Sequence, residues 1–166
     1  MFDVEAVRRD FPILHRQVNS KPLVYLDNGA SAQKPQAVID AISHTYEMEY
    51  SNVHRGLHYL SNLATENYEA VRGTVAKFMN APSQEQIILN SGTTEGINMV
   101  AYSWAMPRLQ AGDEILLSVM EHHANIVPWH FLRERQGVAL KWVEVEADGS
   151  LDVEKFIDAI GPKTKL

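Results

Sequence analysis

Ile87-Ile88-Leu89-Asn90-Ser91-Gly92-Thr93-Thr94-Glu95-Gly96 sets a short apolar run directly against Gly-Thr-Thr, and a sequence with helical spacing follows. A strand that turns through glycine into a helix leaves the first helical amides without intrahelical acceptors, at the positive end of the macrodipole. Gly92 lets a ligand approach the backbone, and the hydroxyls of Thr93 and Thr94 add donors, so the stretch suits a phosphate. Threonine at a helix start is also an ordinary N-cap, and this stretch alone leaves both readings open.

Beyond Pro82, strands and helices alternate. Gln86 to Leu89 reads as a strand, Thr94 to Trp104 as a helix, Glu114 to Val119 as a strand, Asn125 to Arg135 as a helix and Leu140 to Val145 as a third strand. Turn signals stand between them at Ala111-Gly112-Asp113, Gln136-Gly137 and Asp148-Gly149, and this rhythm predicts an α/β fold with a parallel or mixed sheet. Ligands in such sheets collect beyond the C-terminal strand ends, where Ser91-Gly92-Thr93-Thr94 and Glu121-His122-His123 both fall.

The part before Pro82 reads differently. Asp3 to Phe11 has helical spacing with acid in the first turn, and Pro12 closes it as a short N-terminal arm. Pro22 to Leu26 is a plausible strand, followed by the small and turn-forming run Asp27-Asn28-Gly29-Ala30-Ser31-Ala32, whose bare backbone suggests that something approaches it. Pro35 opens a helix with Val38, Ile39, Ile42 and Tyr46 on one face, and a second amphipathic helix spans Asn62 to Met79. Ser51 to His58 between them is polar and irregular. At the other end, Leu151 to Ile160 reads as a helix stopped by Gly161-Pro162, and Lys163 to Leu166 should lead into a strand that does not follow. An open sheet edge and an N-terminal fragment are the expectation.

Composition narrows the classes. The chain has 166 residues, 45% of them hydrophobic, a net charge of -6 and no cysteine. It can bury a core, and its scattered Lys and Arg argue against nucleic acid or an anionic membrane as a partner. No apolar run reaches membrane-helix length and the acidic start is unlike a signal peptide, so the cytoplasm is the expected location. Without cysteine there is no disulfide, thiolate metal site or thiol nucleophile.

His122 and His123 follow a buried strand and point toward whatever the Gly-Thr-Thr loop holds. A neutral imidazole can lie flat on an aromatic ring or move a proton near neutral pH, which makes His122 the better catalytic candidate; capping the next helix is the plainer alternative. His54 and His58 have the spacing of a metal pair, but Arg55 and Gly56 argue against a regular helix there, and no carboxylate or cysteine completes a set. No metal is expected.

Four segments in order resemble one family: Leu26-Asp27-Asn28-Gly29-Ala30-Ser31-Ala32-Gln33-Lys34-Pro35, Asn52-Val53-His54-Arg55-Gly56-Leu57-His58, Ser91-Gly92-Thr93-Thr94-Glu95-Gly96-Ile97-Asn98 and Met120-Glu121-His122-His123-Ala124-Asn125-Ile126-Val127-Pro128-Trp129. They are similar to the motifs of SUF-system cysteine desulfurases, fold type I pyridoxal-phosphate enzymes grouped with class V aminotransferases and close to selenocysteine lyases. The resemblance runs to Leu166. It implies an N-terminal helical arm with a segment belonging to the small domain over residues 1–61, and the first part of the mixed or parallel-sheet, cofactor-binding large domain over residues 62–166. It implies pyridoxal 5'-phosphate as cofactor, with Thr93 and Thr94 on its phosphate and His122 stacked on its ring as a catalytic residue. Gly29 and Ala30 match residues lining the substrate pocket, and His54 and Arg55 match a loop at the active-site mouth near the dimer interface. L-cysteine, or L-selenocysteine, a homodimer and a sulfur-acceptor protein are the implied partners. Asn28-Gly29 stands where many relatives have Ser-Ala or Asn-Ala.

The family's cofactor-attaching lysine, its ring-nitrogen aspartate, its carboxylate-binding arginine and its sulfur-carrying cysteine all lie beyond residue 166 in members of full length. Activity is therefore not expected of this chain alone. Another class V lyase is one alternative, and a non-catalytic binding or dimerisation module is another.

Overall fold

The structure, a computed structural model, describes residues 2–166, and their contacts divide into two compact units, one ending at Ile87 and the other running Ile88–Leu166.

In the first unit, helix α1 (Val4–Arg9) starts where Asp3 Oδ1 accepts from the Ala6 amide at 3.0 Å. Pro12 then opens a 3-10 turn, Pro12–His15. Strands β1 (Gln17–Val18) and β2 (Lys21–Pro22) form a small antiparallel hairpin. Asn19 and Ser20 between them both adopt positive φ, 53° and 62°, the geometry a two-residue hairpin turn requires. The strand expected over Pro22 to Leu26 stops at Pro22. Leu23 still donates to the Arg16 carbonyl, but beyond it no neighbour among the described residues offers a ladder, and Val24 and Leu26 are exposed. Helix α2 (Gln36–His44) follows Pro35 and continues as a π-helical turn, Thr45–Glu49; α3 (Tyr59–Phe78) is the long helix of this unit. The expected strand at Gln86 to Leu89 is instead a 3-10 turn, Gln84–Gln86, with Ile87 extended after it. An apolar run becomes a strand only when another strand pairs with it, and this one has no such partner among the described residues.

In the second unit, helix α4 (Thr93–Met99) continues through a π-helical turn, Val100–Ala105. Strand β3 (Glu114–Ser118), helix α5 (Val127–Gln136), strand β4 (Ala139–Val143) and helix α6 (Val153–Ala159) complete it. β3 and β4 pair in parallel from Glu114 opposite Ala139 to Ser118 opposite Val143, so the predicted parallel sheet is present. α5 ends on Gly137 in the left-handed region, φ 74°, which a β-carbon would strain.

The chain end also reaches this sheet. Thr164 forms a parallel bridge to Glu114, the Glu114 amide donates to the Lys163 carbonyl at 2.8 Å, and the Leu116 amide donates to the Leu166 carbonyl at 2.8 Å. Residues 163–166 thus cover the β3 edge opposite β4. The alternate β3 residues Ile115 and Leu117 are buried with Ala101, Ala105, Leu109, Trp129, Leu132 and Val138. Among the described residues no helix is long and apolar enough to cross a membrane.

Candidate functional site

Gly92 is the N-cap of α4 with φ 135°, a conformation that L side chains rarely adopt, and a β-carbon added there would meet nothing within 4 Å. The chain therefore turns into the helix with open space over its first turn. Gly96 donates to the Gly92 carbonyl at 3.1 Å, whereas the amides of Thr93, Thr94 and Glu95 have no acceptor among the described residues. Glu95 reaches back to accept from the Ser91 amide at 2.5 Å, and Asn90 Oδ1 accepts from the Gly92 amide at 2.9 Å. Those bonds fix the turn. The Ser91 amide and hydroxyl hold the Glu95 carboxyl below the usual glutamate value. Asn98 Nδ2 donates to the Thr94 carbonyl at 2.8 Å one turn further on.

His122 leaves the C-terminal end of β3 in extended conformation, φ -68° and ψ 147°, and its Nδ1 accepts from the Ala124 amide at 3.1 Å. In the neutral ring that bond assigns the proton to Nε2. The neighbouring His123 ring lies edge-on at 5.8 Å between centroids. Thr94, Asn98, His122, His123 and Ala124 line one open cleft of about 290 Å³, with Val127 and Pro128 of α5 as its apolar wall. The two loops singled out in the sequence thus meet at one rim. The arrangement combines unpaired amides at a helix start with an exposed imidazole, a setting for an anion joined to a flat ring.

The remaining predicted positions lie in the first unit. Gly29 and Ala30 sit in a turn in which the Ala30 and Ser31 amides donate to the Asp27 carbonyl at 3.2 and 3.0 Å, and both residues are exposed. Tyr25 pins that turn through a hydroxyl bond to the Ser31 carbonyl at 2.7 Å. His54 has φ 67°, donates its amide to Thr65 Oγ1 at 2.9 Å and places Nε2 3.3 Å from Glu69. His58 is the N-cap of α3, its Nδ1 accepting from the Ser61 amide. Arg55 is exposed beside them. Gly56 explains the irregular loop: a β-carbon there would lie 2.4 Å from the Ser61 side chain, whose buried hydroxyl accepts from the Gly56 amide and donates to the Asn52 carbonyl.

Sequence reasoning missed a hydrogen-bond chain next to His122. Ser118 Oγ donates to Glu121 Oε1 at 2.7 Å, Asn125 Nδ2 donates to Glu121 Oε2 at 2.9 Å, and Trp129 Nε1 donates to Asn125 Oδ1 at 3.0 Å. The signal was available in the spacing, because Glu121, Asn125 and Trp129 recur every four residues across a strand-to-helix junction. The Ser118 hydroxyl first, then the Asn125 amide, hold the Glu121 carboxyl below the usual glutamate value. A lowered folded-state value stabilises the fold above the unfolded glutamate value, and the stabilisation is lost as pH falls through the lowered one. Wild type should therefore lose its stability advantage over Glu121→Gln on acidification through that window, measured by urea midpoints at stepped pH. An advantage unchanged down to the acid limb would contradict the network.

The aminotransferase class-V family matches this chain over residues 24–166. A probable cysteine desulfurase of Synechocystis sp. is 52% identical over 161 residues, 97% of this chain and 38% of that protein. Among solved structures, the cysteine desulfurase CsdA of Escherichia coli in its S-sulfonic acid form is similar with a TM-score of 0.78 and 39% identity, over 99% of this chain and 40% of that one. The apo cysteine desulfurase of Thermococcus onnurineus NA1 gives a TM-score of 0.80 at 34% identity, over 93% of this chain and 37% of that one. The chain spans about two-fifths of the length of these relatives.

Proposed function

The chain belongs to the aminotransferase class-V family, and from that premise we propose that it carries part of the active site of a pyridoxal-phosphate-dependent cysteine desulfurase of the SUF type. The observation that supports this reading most is the single cleft shared by Thr94 at the start of α4 and by His122 beyond β3. Its residues fit the cofactor: the acceptor-free amides of the first α4 turn suit a phosphate, and Gly92 leaves open space beside them. Bound there, pyridoxal phosphate supplies an electron sink for bond changes at the carbons of an amino acid.

The chain's own residues have distinct parts in this scheme. Thr93 and Thr94 hold the phosphate by amide and hydroxyl. His122 faces the ring and can hold or pass a proton at Nε2, because Nδ1 is engaged by Ala124. In this reading Gly29 and Ala30 have the role of the family's substrate-pocket residues, and His54 and Arg55 that of its active-site-mouth loop. Residues 1–61 belong with the small domain and residues 62–166 open the large one. The whole enzyme converts L-cysteine and an acceptor thiol into L-alanine and a persulfide on that thiol. It works as a cytoplasmic homodimer that hands the sulfur to a partner protein. Cysteine is favoured over selenocysteine because the relatives at 52% and 39% identity are cysteine desulfurases.

A Thr93→Ala, Thr94→Ala double variant tests the phosphate site. Losing hydroxyl bonds to a charged group costs about 1.5–3 kcal/mol each, so pyridoxal phosphate should bind the double variant at least roughly tenfold more weakly in an absorbance titration. Equal affinity in the variant and the wild type removes the site.

A further inference from the structure

His122 caps a single 3-10 turn, His123–Asn125, between β3 and α5, yet its imidazole has a defined tautomer and a defined place on the cleft. Something must hold it. The Asn125 amide donates to the His122 carbonyl at 2.7 Å, which closes the turn but does not attach it to the rest of the fold. Attachment comes from the residue just before. The Glu121 carboxylate accepts from Ser118 Oγ at the end of β3 and from Asn125 Nδ2 in the 3-10 turn ahead of α5, one oxygen for each. Both anchors reach the core, since Ser118 is 2% exposed and the Trp129 that fixes Asn125 is 4% exposed.

We propose that Glu121 is the positioning residue for His122, clamping the end of β3 to the 3-10 turn His123–Asn125 that precedes α5, so that the imidazole is held at the cleft. The proposal deepens the cofactor reading above and rests on it for the identity of what His122 faces. A carboxylate suits this position because it accepts from two donors at once and leaves Asn125 Oδ1 to the Trp129 indole. Glutamine can preserve the arrangement if the Ser118 hydroxyl rotates to accept from its amide. Alanine cannot. It also leaves the buried Ser118 hydroxyl without its acceptor.

The test follows the His122 ring directly. In cofactor-free protein labelled with ¹⁵N-histidine, wild type should show His122 as one tautomer with the proton on Nε2, assigned by its disappearance in His122→Ala. Glu121→Ala should average the two tautomers and weaken pyridoxal phosphate binding roughly tenfold, the loss expected for a charge-assisted hydrogen bond. Glu121→Gln should restore both. If Glu121→Ala does not fold, Ser118→Ala removes one of the two anchors and should move both readouts in the same direction. A merely structural role predicts a lower melting temperature with unchanged ring signals, and unchanged signals in the folded alanine variant overturn the proposal. The cofactor reading fails separately, if His122→Ala binds pyridoxal phosphate as wild type does. The ring signals of Glu121→Ala then still decide the positioning role.

Discussion

Given L-cysteine and pyridoxal phosphate, the 166-residue chain alone is expected to form no alanine above the background of free cofactor. The reason lies in the residues it has. A nucleophilic amine needs a depressed pKa, which comes from desolvation or a neighbouring cation. The lysines here are exposed or paired with acids. Lys155 pairs with Glu146, whose hydrogen bond holds the ammonium above its usual value. Lys141 lies 3.3 Å from Glu114 and donates to the Ala159 carbonyl. Lys21, Lys34, Lys77, Lys163 and Lys165 are exposed, and no lysine lines the cleft beside Thr94 and His122. With no cysteine in the chain, it also has no thiol to receive sulfur. Alanine measured by chromatography at a rate proportional to chain concentration would defeat this expectation.

Leu132→Ala is expected to be the most damaging single substitution in the second unit. Leu132 is 1% exposed on α5 and packs in the cluster that joins α5 to β3 and to the π-helical turn after α4. Removing its isobutyl group costs the transfer energy plus a cavity, about 2–5 kcal/mol. A domain's whole stability is roughly 5–15 kcal/mol, so much of the folded margin goes. The same substitution should loosen both sides of the cleft, because α5 supplies Val127 and Pro128 and anchors Asn125 through Trp129. Amide exchange is the measurement: protection of Ile115 and Leu117 should drop together with that of the α5 amides. A loss confined to the neighbours of Leu132, with β3 still protected, would show that the cluster is not one cooperative unit.

Helices and turns were the legible part of this chain. The spacing from Asp3 and the proline at Pro35 marked helix beginnings, and Gly112, Gly137 and Gly149 marked turns, since helix starts and positive φ are local properties of a few residues. Strands were less legible. Glu114–Ser118 and Ala139–Val143 formed because each found the other, while Leu23 to Leu26 and Ile87 to Leu89, with comparable apolar content, found no ladder. At the far end the opposite happened, and the polar tail Lys163-Thr164-Lys165 paired with β3 although nothing in its composition asks for a strand.

The site divides along the same line. Thr93, Thr94 and His122 were candidates from sequence because a glycine-led helix start suits a phosphate and an imidazole can stack on a ring or move a proton. That Thr94 and His122 share a cleft, and that Ser118, Glu121, Asn125 and Trp129 hold the imidazole there, was decided only by folding. Residue type fixes which interactions a side chain can make, but a hydrogen bond or a cleft also requires distance and direction, and packing around Ile115 and Leu132 sets those.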